Sequence, residues 1–422
     1  MGQEPLTVKT PIADYLDDLL DDVRDRDAGA VADYIPDLAG APTDRLAAAV
    51  CTINGVLYTA GDDDVEFSMQ SISKAFTYAL ALEQHGLDKL LEIVGMEPSG
   101  EAFNELSLDD ATKRPMNPMI NAGAIAVNQV IDGEEATVEN RTETLRRFYS
   151  RLAGRELRID EGLVESELGT SDRNMAIAYM LRSYGIVRDS ARDAVESYVR
   201  QCAVMVTVSD LAVMGATLAN GGVQPVTGEQ IIERRVAQLV QAVMSSAGMY
   251  DAAGRWMATV GIPAKSGVSG GLLGTLPGQL GLATFSPRLD AQGNSERGKL
   301  VFQRFSHEGG MHLMSAETFG GAPVRVVKVV DDVTVFVLQG SMDFNGAEVF
   351  LRTAETHEFR TDTVRIDIHR VNRFNRIART MTLEGMRRMR EDGLTVQLLD
   401  PEGVLEDPDL GDGTYPEIVR ED

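Results

Sequence analysis

The order of strand-like and helix-like segments constrains this chain more than any other feature. Residues 46–58 are rich in Ala, Val, Ile and Leu around a central Asn54-Gly55 pair, which predicts a β-hairpin, and another strand-like piece leads to Phe67. Helical patterns then dominate from about 119 to 250, at 122–130, 142–153, 174–184, 191–199, 209–219 and 230–245. From 256 to 286 the character changes again. Met257-Ala-Thr-Val-Gly-Ile-Pro and Gly281-Leu-Ala-Thr-Phe-Ser read as two strands around the glycine-rich loop 267–281. Strands on both sides of a helical block predict one α+β domain whose sheet joins the two ends of the segment.

Two helices precede that block. Residues 11–27 set Ile12, Leu16, Leu19, Leu20 and Val23 among aspartates, an amphipathic helix with a solvated acidic face. Residues 71–85 carry Phe76, Leu80 and Leu82 toward the core and end at Gly86. A second rhythm follows the pairs Gly309-Gly310 and Gly320-Gly321, and the linker belongs near 316–323. Beyond it, 324–330, 333–338, 364–368 and 395–399 read as strands, and 344–356 and 376–391 as helices. The expected domains are 1–318 and 324–422, the second a compact α/β unit whose acidic tail after Pro401 is loose.

Charge narrows the partners. With 65 acidic and 40 basic residues the net charge is −25, which argues against nucleic acid or an anionic membrane. Only seven of the basic residues are lysines, and such a surface suits high salt, where self-repulsion is screened. Cys51 and Cys202 sit in apolar stretches and read as buried free thiols. The N-terminus has no hydrophobic signal core, and the uncharged run 211–228 is broken by Asn220, Gly221, Gly222 and Pro225, so no membrane span is expected. The five histidines are scattered and no metal-ligand spacing occurs. These features predict a cytoplasmic protein that uses no metal or cofactor.

Ser71 is the only serine that stands three residues before a lysine, Lys74. At the start of a helix this spacing puts hydroxyl and amine on one face, about one turn apart. A serine needs a base within hydrogen-bond reach, and a lysine serves when burial lowers its pKa. Far along the chain, Lys265-Ser266-Gly267 lies where an edge strand can face that helix across a cleft, with the glycine permitting close approach. S-x-x-K early and K-S-G late resemble the serine β-lactamase and penicillin-binding fold.

The motifs between them are more specific. Asn117-Pro-Met-Ile-Asn121-Ala-Gly, Glu167-Leu-Gly-Thr-Ser-Asp-Arg-Asn174, Tyr198-Val-Arg-Gln-Cys202, Gly248-Met-Tyr250-Asp and Pro263-Ala-Lys-Ser-Gly-Val268 follow in that order. Over roughly residues 10–315 the chain resembles the β-lactamase-like glutaminases, and Tyr34-Ile-Pro-Asp-Leu is similar to that family's N-terminal tyrosine motif. The resemblance implies Ser71 as nucleophile, Lys74 as base, Tyr198 as proton relay, and Tyr34, Asn121, Glu167, Asn174, Tyr250 and Val268 around glutamine, with Lys265, Ser266 and Gly267 in support. It implies an oxyanion held by backbone N–H groups at Ser71 and Val268.

Without the family, a carboxylate such as Glu167 suits the ammonium of an amino acid, and Asn121 and the tyrosines suit its carboxylate. Taken singly, Glu167 reads as a surface carboxylate, Asn121 and Asn174 as helix caps, and Tyr198 and Tyr250 as packing aromatics. Two rivals stand beside the glutaminase reading. One is a β-lactamase or peptidase on the same fold, although no S-D-N triplet lies between the lysine motifs. The other is a regulatory protein with an inactive enzyme domain.

The C-terminal unit resembles a STAS domain through Val335-Phe-Val-Leu-Gln-Gly-Ser-Met-Asp343, Val364-Arg-Ile-Asp367-Ile-His and Gly393-Leu-Thr-Val-Gln-Leu-Leu-Asp400. Where regulatory members carry an Asp-Ser pair, this chain has about Asn375 and Arg376, so the implied role is scaffold or homo-oligomer contact. Arg370, Arg373, Arg376 and Arg379 recur every three residues and read as a helix face.

Overall fold

The computed structural model describes residues 12–100, 105–106, 108–133, 135–315, 322–342, 344–374 and 376–420. It divides into two compact units, Met1–Ser315 and Ala316–Asp422.

The first unit opens with α1 (Ile12–Arg24), which buries Leu16, Leu19, Leu20 and Val23. The single turn α2 (Pro36–Ala39) follows. β1 (Ala47–Thr52) and β2 (Leu57–Gly61) form the hairpin, turning through Gly55 at φ 82°. After the short β3 (Phe67–Ser68) the chain enters α3 (Ser73–Leu91), and the helical block continues with α4 (Asn121–Asn128), α5 (Val138–Ala153), α6 (Glu161–Gly169), α7 (Asp172–Ser183) and α8 (Ala191–Cys202). β4 (Met205–Val206) pairs with β3. Then come α9 (Val208–Ala219), α10 (Arg234–Ala247), α11 (Ala253–Thr259), the strands β5 (Ala264–Ser266), β6 (Gly271–Leu276) and β7 (Leu280–Phe285), and α12 (Glu296–Gly309).

The sheet has the order β2-β1-β7-β6-β5 and is antiparallel throughout, so residues from both ends of the unit are neighbours, as in the pair Ala47 and Phe285. Nearly every residue of α9 is buried, the pattern of a helix enclosed on all sides. Its N-terminus carries a reciprocal cap: Thr207 accepts from the Asp210 amide, and Asp210 accepts from the Thr207 amide at 2.7 Å. α9 lies against β7 so closely that a Cβ on Gly281 would stand 2.2 Å from Ala212 O and 2.3 Å from Ala216 N. Only glycine fits there.

Several local expectations change. Met257 to Thr259 end α11 instead of forming a strand, and the loop 267–281 contains β6. The expected stop at Gly86 holds: Gly86 adopts the non-helical φ 75°, ψ 168° and breaks α3 there, and a second, short helical segment follows to Leu91. α6 and α12 lie where no helix was expected. Both are capped by side chains, Asp160 accepting from Leu163 N and Ser295 from Gly298 N, but glycines at 162, 169, 298 and 309 weaken their helical signal. The linker expected at 316–323 lies mostly outside the described residues.

The second unit contains β8 (Val324–Val330), β9 (Val333–Met342), α13 (Phe344–Glu355), β10 (Thr363–Phe374), α14 (Arg376–Glu391), β11 (Thr395–Leu399) and β12 (Glu417–Val419). The sheet order is β12-β11-β10-β9-β8; β8 pairs antiparallel and the other neighbours parallel. Its core gathers Phe336, Phe350, Ile366, Met386 and Leu398. The tail is not loose: Leu405 and Leu410 are buried, and β12 adds to the sheet. Nor is the arginine series one helix face, because Arg370 and Arg373 belong to β10 and Arg376 and Arg379 to α14. Asp343 and Asn375 lie outside the described residues.

Candidate active site

Ser71 stands in a single 3-10 turn, Gln70–Ile72, that leads into α3. The tetrad therefore spans a turn and the first residues of an α-helix. Ser71 and Lys74 are both buried, Lys74 with 1% of its surface exposed. The approach to the serine is strained, since Gln70 adopts φ 48°, a left-handed conformation rare for a residue with a side chain.

Lys74 Nζ donates to Asn121 Oδ1 at 2.6 Å. The Tyr198 phenol, from α8, donates to the same oxygen at 3.3 Å, and Asn121 Nδ2 donates to Asn174 Oδ1 at 2.9 Å. Neither asparagine is a helix cap. The N-cap positions of α4 and α7 belong to Ile120 and Ser171, and the two amides bond to each other instead. Lys74 Nζ also lies 5.8 Å from the ring centroids of both Tyr198 and Tyr250. No hydrogen bond joins Ser71 to Lys74 among the described residues. The Ser71 side chain stands instead beside the Tyr250 phenol, whose pKa burial pushes up and the serine draws down by a smaller amount.

Tyr250 also holds a left-handed backbone, φ 55°. Lys265 Nζ, from edge strand β5, donates to its phenol at 2.8 Å and to Ser266 O at 2.8 Å, and sits 4.0 Å from its ring centroid. Gly267 follows directly. A Cβ there would come within 2.8 Å of Met69 O, so glycine lets the β5 end approach the turn that carries the serine. Val268 is buried in the turn beyond. Among the described residues, neither the Ser71 nor the Val268 amide has a backbone acceptor.

Glu167, near the end of α6, is buried and accepts a short hydrogen bond from Gln70 Nε2. Tyr34 exposes 53% of its surface. Burial and then the Glu167 charge push its phenol upward. Burial drives the other shifts too. It lowers Lys74 to about 7 and Lys265 well below the usual lysine range, the latter helped by the Lys74 charge. It raises Glu167 to about 7 against the hydrogen bond from Gln70, raises Tyr198 and Tyr250, and raises the Cys202 thiol to about 12. A half-neutral amine near pH 7 is suited to take a proton from an alcohol, and a buried carboxyl without a cation is suited to receive an ammonium group.

The fold thus draws Lys74, Tyr198, Asn121 and Asn174 into one hydrogen-bonded cluster, and sets the bonded pair Lys265 and Tyr250 beside Ser71. Ser266 bonds away from the serine, to Asn294 Oδ1 at 2.6 Å. Two participants escaped the sequence reading. Gln70 had its adjacency to Ser71 as a signal, whereas Asn294, 28 residues beyond Ser266 and wholly buried, had none. Among the described residues no group of side chains could hold a metal ion, and no helix is long and apolar enough to cross a membrane.

A family model described as Glutaminase matches residues 29–314. The chain is 56% identical over 414 residues to a glutaminase of Corynebacterium efficiens, covering 98% of this chain and 97% of that protein. It is 55% identical over 404 residues to a glutaminase of Corynebacterium glutamicum, covering 96% and 98%. A crystal structure of Mglu matches with a TM-score of 0.86 at 49% identity, over 94% of this chain and all of that one. With the serine, the lysine and the buried polar groups gathered around them, these matches establish that the chain belongs to the glutaminase family.

Proposed function

We propose that this enzyme hydrolyses L-glutamine to L-glutamate and ammonia through a γ-glutamyl ester on Ser71. Ser71 Oγ attacks the side-chain amide carbon while Lys74 takes its proton. The tetrahedral oxyanion is held by the Ser71 and Val268 amides. Tyr198, sharing Asn121 Oδ1 with Lys74, passes a proton to the departing ammonia, and water then cleaves the ester. Glu167 receives the substrate's ammonium, displacing the Gln70 amide, while Asn121, Asn174, Tyr34 and Tyr250 orient its carboxylate. A lysine with its pKa lowered to about 7, buried in a cluster with Asn121 and Tyr198, is the observation that carries this reading. An amino-acid occupant is supported by a similar structure, 46% identical, described as Mglu in its glutamate form.

A coupled glutamate assay on L-glutamine, L-asparagine and D-glutamine tests the proposal. L-glutamine should be turned over by the parent and not by Ser71→Ala. Turnover of a chromogenic β-lactam with glutamine ignored overturns it.

The second unit is a STAS-like scaffold that governs assembly between copies of the chain. Its mixed five-stranded sheet with two helices supports this reading. Deleting 324–422 should leave turnover largely intact and change assembly or salt response; complete loss of activity in soluble truncated protein overturns it. The acidic surface supports activity in molar NaCl in the cytoplasm, and a similar structure, 45% identical, was solved in the presence of 4.3M NaCl. Collapse of turnover under those conditions removes the salt reading.

A further inference from the structure

The peptide unit between Gln70 and Ser71 carries the Ser71 N–H, one of the two amides assigned above to the oxyanion. A peptide unit is planar, so whatever holds the Gln70 carbonyl oxygen also sets the direction of that N–H. Ser73 reaches the oxygen twice. Its backbone N–H donates to Gln70 O, and its Oγ donates to the same oxygen at 2.7 Å.

Behind Ser73 stands a row of buried amides. Gln201 Nε2, from the last turn of α8, donates to Ser73 Oγ at 3.0 Å. Asn128 Nδ2, at the end of α4, donates to Gln201 Oε1 at 2.8 Å and to Ser197 O at 3.4 Å. None of Ser73, Gln201 and Asn128 exposes more than 1% of its surface. The two ends of the row fix the direction of every proton in it, because Gln70 O and Ser197 O are backbone carbonyls and can only accept. Ser73 must give its one hydroxyl proton to Gln70, which leaves its lone pairs for the Gln201 nitrogen. Asn128 must turn its nitrogen toward Ser197, and the second hydrogen of that nitrogen meets the Gln201 oxygen. Asn128 Oδ1 is left buried with no partner among the described residues. Buried polar atoms are almost always paired, so the row keeps its direction at a cost.

We propose that Ser73 and Gln201 are positioning residues that aim the Ser71 amide at the oxyanion. With its proton on Gln70 O, the Ser73 hydroxyl locks the tilt of the Gln70–Ser71 peptide. Gln201 keeps that hydroxyl from turning, and it does so from the helix that also carries Tyr198. The hold is needed because Gln70 has a left-handed backbone, φ 48°, which persists only where the surroundings enforce it. Both residues act on the reacting atoms through the Gln70–Ser71 peptide alone. The inference rests on the reading of Ser71 as nucleophile with its amide as an oxyanion donor.

Ser73→Ala, Gln201→Met and the double variant test it. Each is measured for ammonia release from L-glutamine, inhibition by L-glutamate and a thermal unfolding midpoint. Loss of a whole oxyanion donor costs about 10²–10³-fold in kcat, and a misaimed donor costs part of that. Ser73→Ala should lower kcat about tenfold and Gln201→Met about fivefold. KM for glutamine and Ki for glutamate should stay within about twofold of the parent, because the amide is needed where charge develops and not where the ground state binds. The double variant should be no slower than Ser73→Ala, since Gln201 acts through the Ser73 hydroxyl. Losses that multiply to about fiftyfold overturn the proposal, as does a Ki that rises in step with the loss of kcat, or a Ser73→Ala variant with the parent's kcat. If Gln201→Met does not fold, Ser73→Ala, which removes a single oxygen, decides: a lowered kcat with unchanged Ki upholds the proposal, and any other result overturns it. Activity surviving in Ser71→Ala would instead refute the nucleophile assignment, so the two failures are distinguishable.

Discussion

Glu167 in the first unit and Glu384 in the second are both glutamates on helices, yet their carboxyls are displaced in opposite directions. Hydrogen bonds from Arg387 and Arg388 draw Glu384 down to about 2 on an exposed face of α14. Burial pushes Glu167 up to about 7, and the one partner that opposes this is the neutral amide of Gln70. The surface carboxylate is compensated within its own helix, by residues three and four positions away. The buried one has no cationic partner among the described residues. A ligand that brings an ammonium group completes the second arrangement and has nothing to offer the first. Lys74 and Lys299 repeat the contrast: Lys299 sits between Asp290 and Glu296, while Lys74 bonds to the Asn121 amide and, among the described residues, has no carboxylate partner.

The contrast can be broken experimentally, starting with the group that all of the chemistry needs. Ser71→Ala should lower kcat by at least about 10⁴-fold in the glutamate assay, leaving only background hydrolysis. Glu167→Gln keeps the shape and removes the charge, and it should raise KM for glutamine on the order of a hundredfold with a smaller change in kcat. The pH profile follows with its sign fixed by the two shifts. Lys74 and Glu167 both act in their deprotonated forms, and both lose their protons as pH rises through about 7. kcat/KM should therefore fall on acidification below that point, more steeply than the roughly tenfold per pH unit of a single group. A flat profile between pH 6 and 8 would place neither group in the reaction. The smallest effect is expected on α14. Arg387→Ala should leave kcat and KM unchanged and shift the thermal midpoint by less than about 2 °C, because its partners Glu384 and Glu391 are solvated.

The candidate site was legible through short motifs and not through single residues. Ser71 and Lys74 are close in sequence, and helical geometry alone brings them to one face. Asn121, Glu167, Asn174, Tyr198 and Tyr250 were readable through the motifs that surround them. Other features depended on contacts that sequence does not display. The bond from Gln70 to Glu167 spans 97 positions, and the one from Ser266 to Asn294 joins a strand to a loop. α12 was hidden by its glycines and β12 by an acidic tail, because both are held by packing against the sheet next to them and not by propensity.

Local pattern determined where the helical block begins, that one sheet joins the strands on either side of it, and which serine has a lysine one turn away. Those properties follow from backbone periodicity and side-chain spacing, which are written in the order of residues. Tertiary structure decided the rest: that Lys74 meets Asn121 and Tyr198, that Tyr250 stands beside Ser71, and that Glu167 is buried with the Gln70 amide as its hydrogen-bond partner. Desolvation depends on everything that surrounds a group, and no stretch of sequence contains its own surroundings.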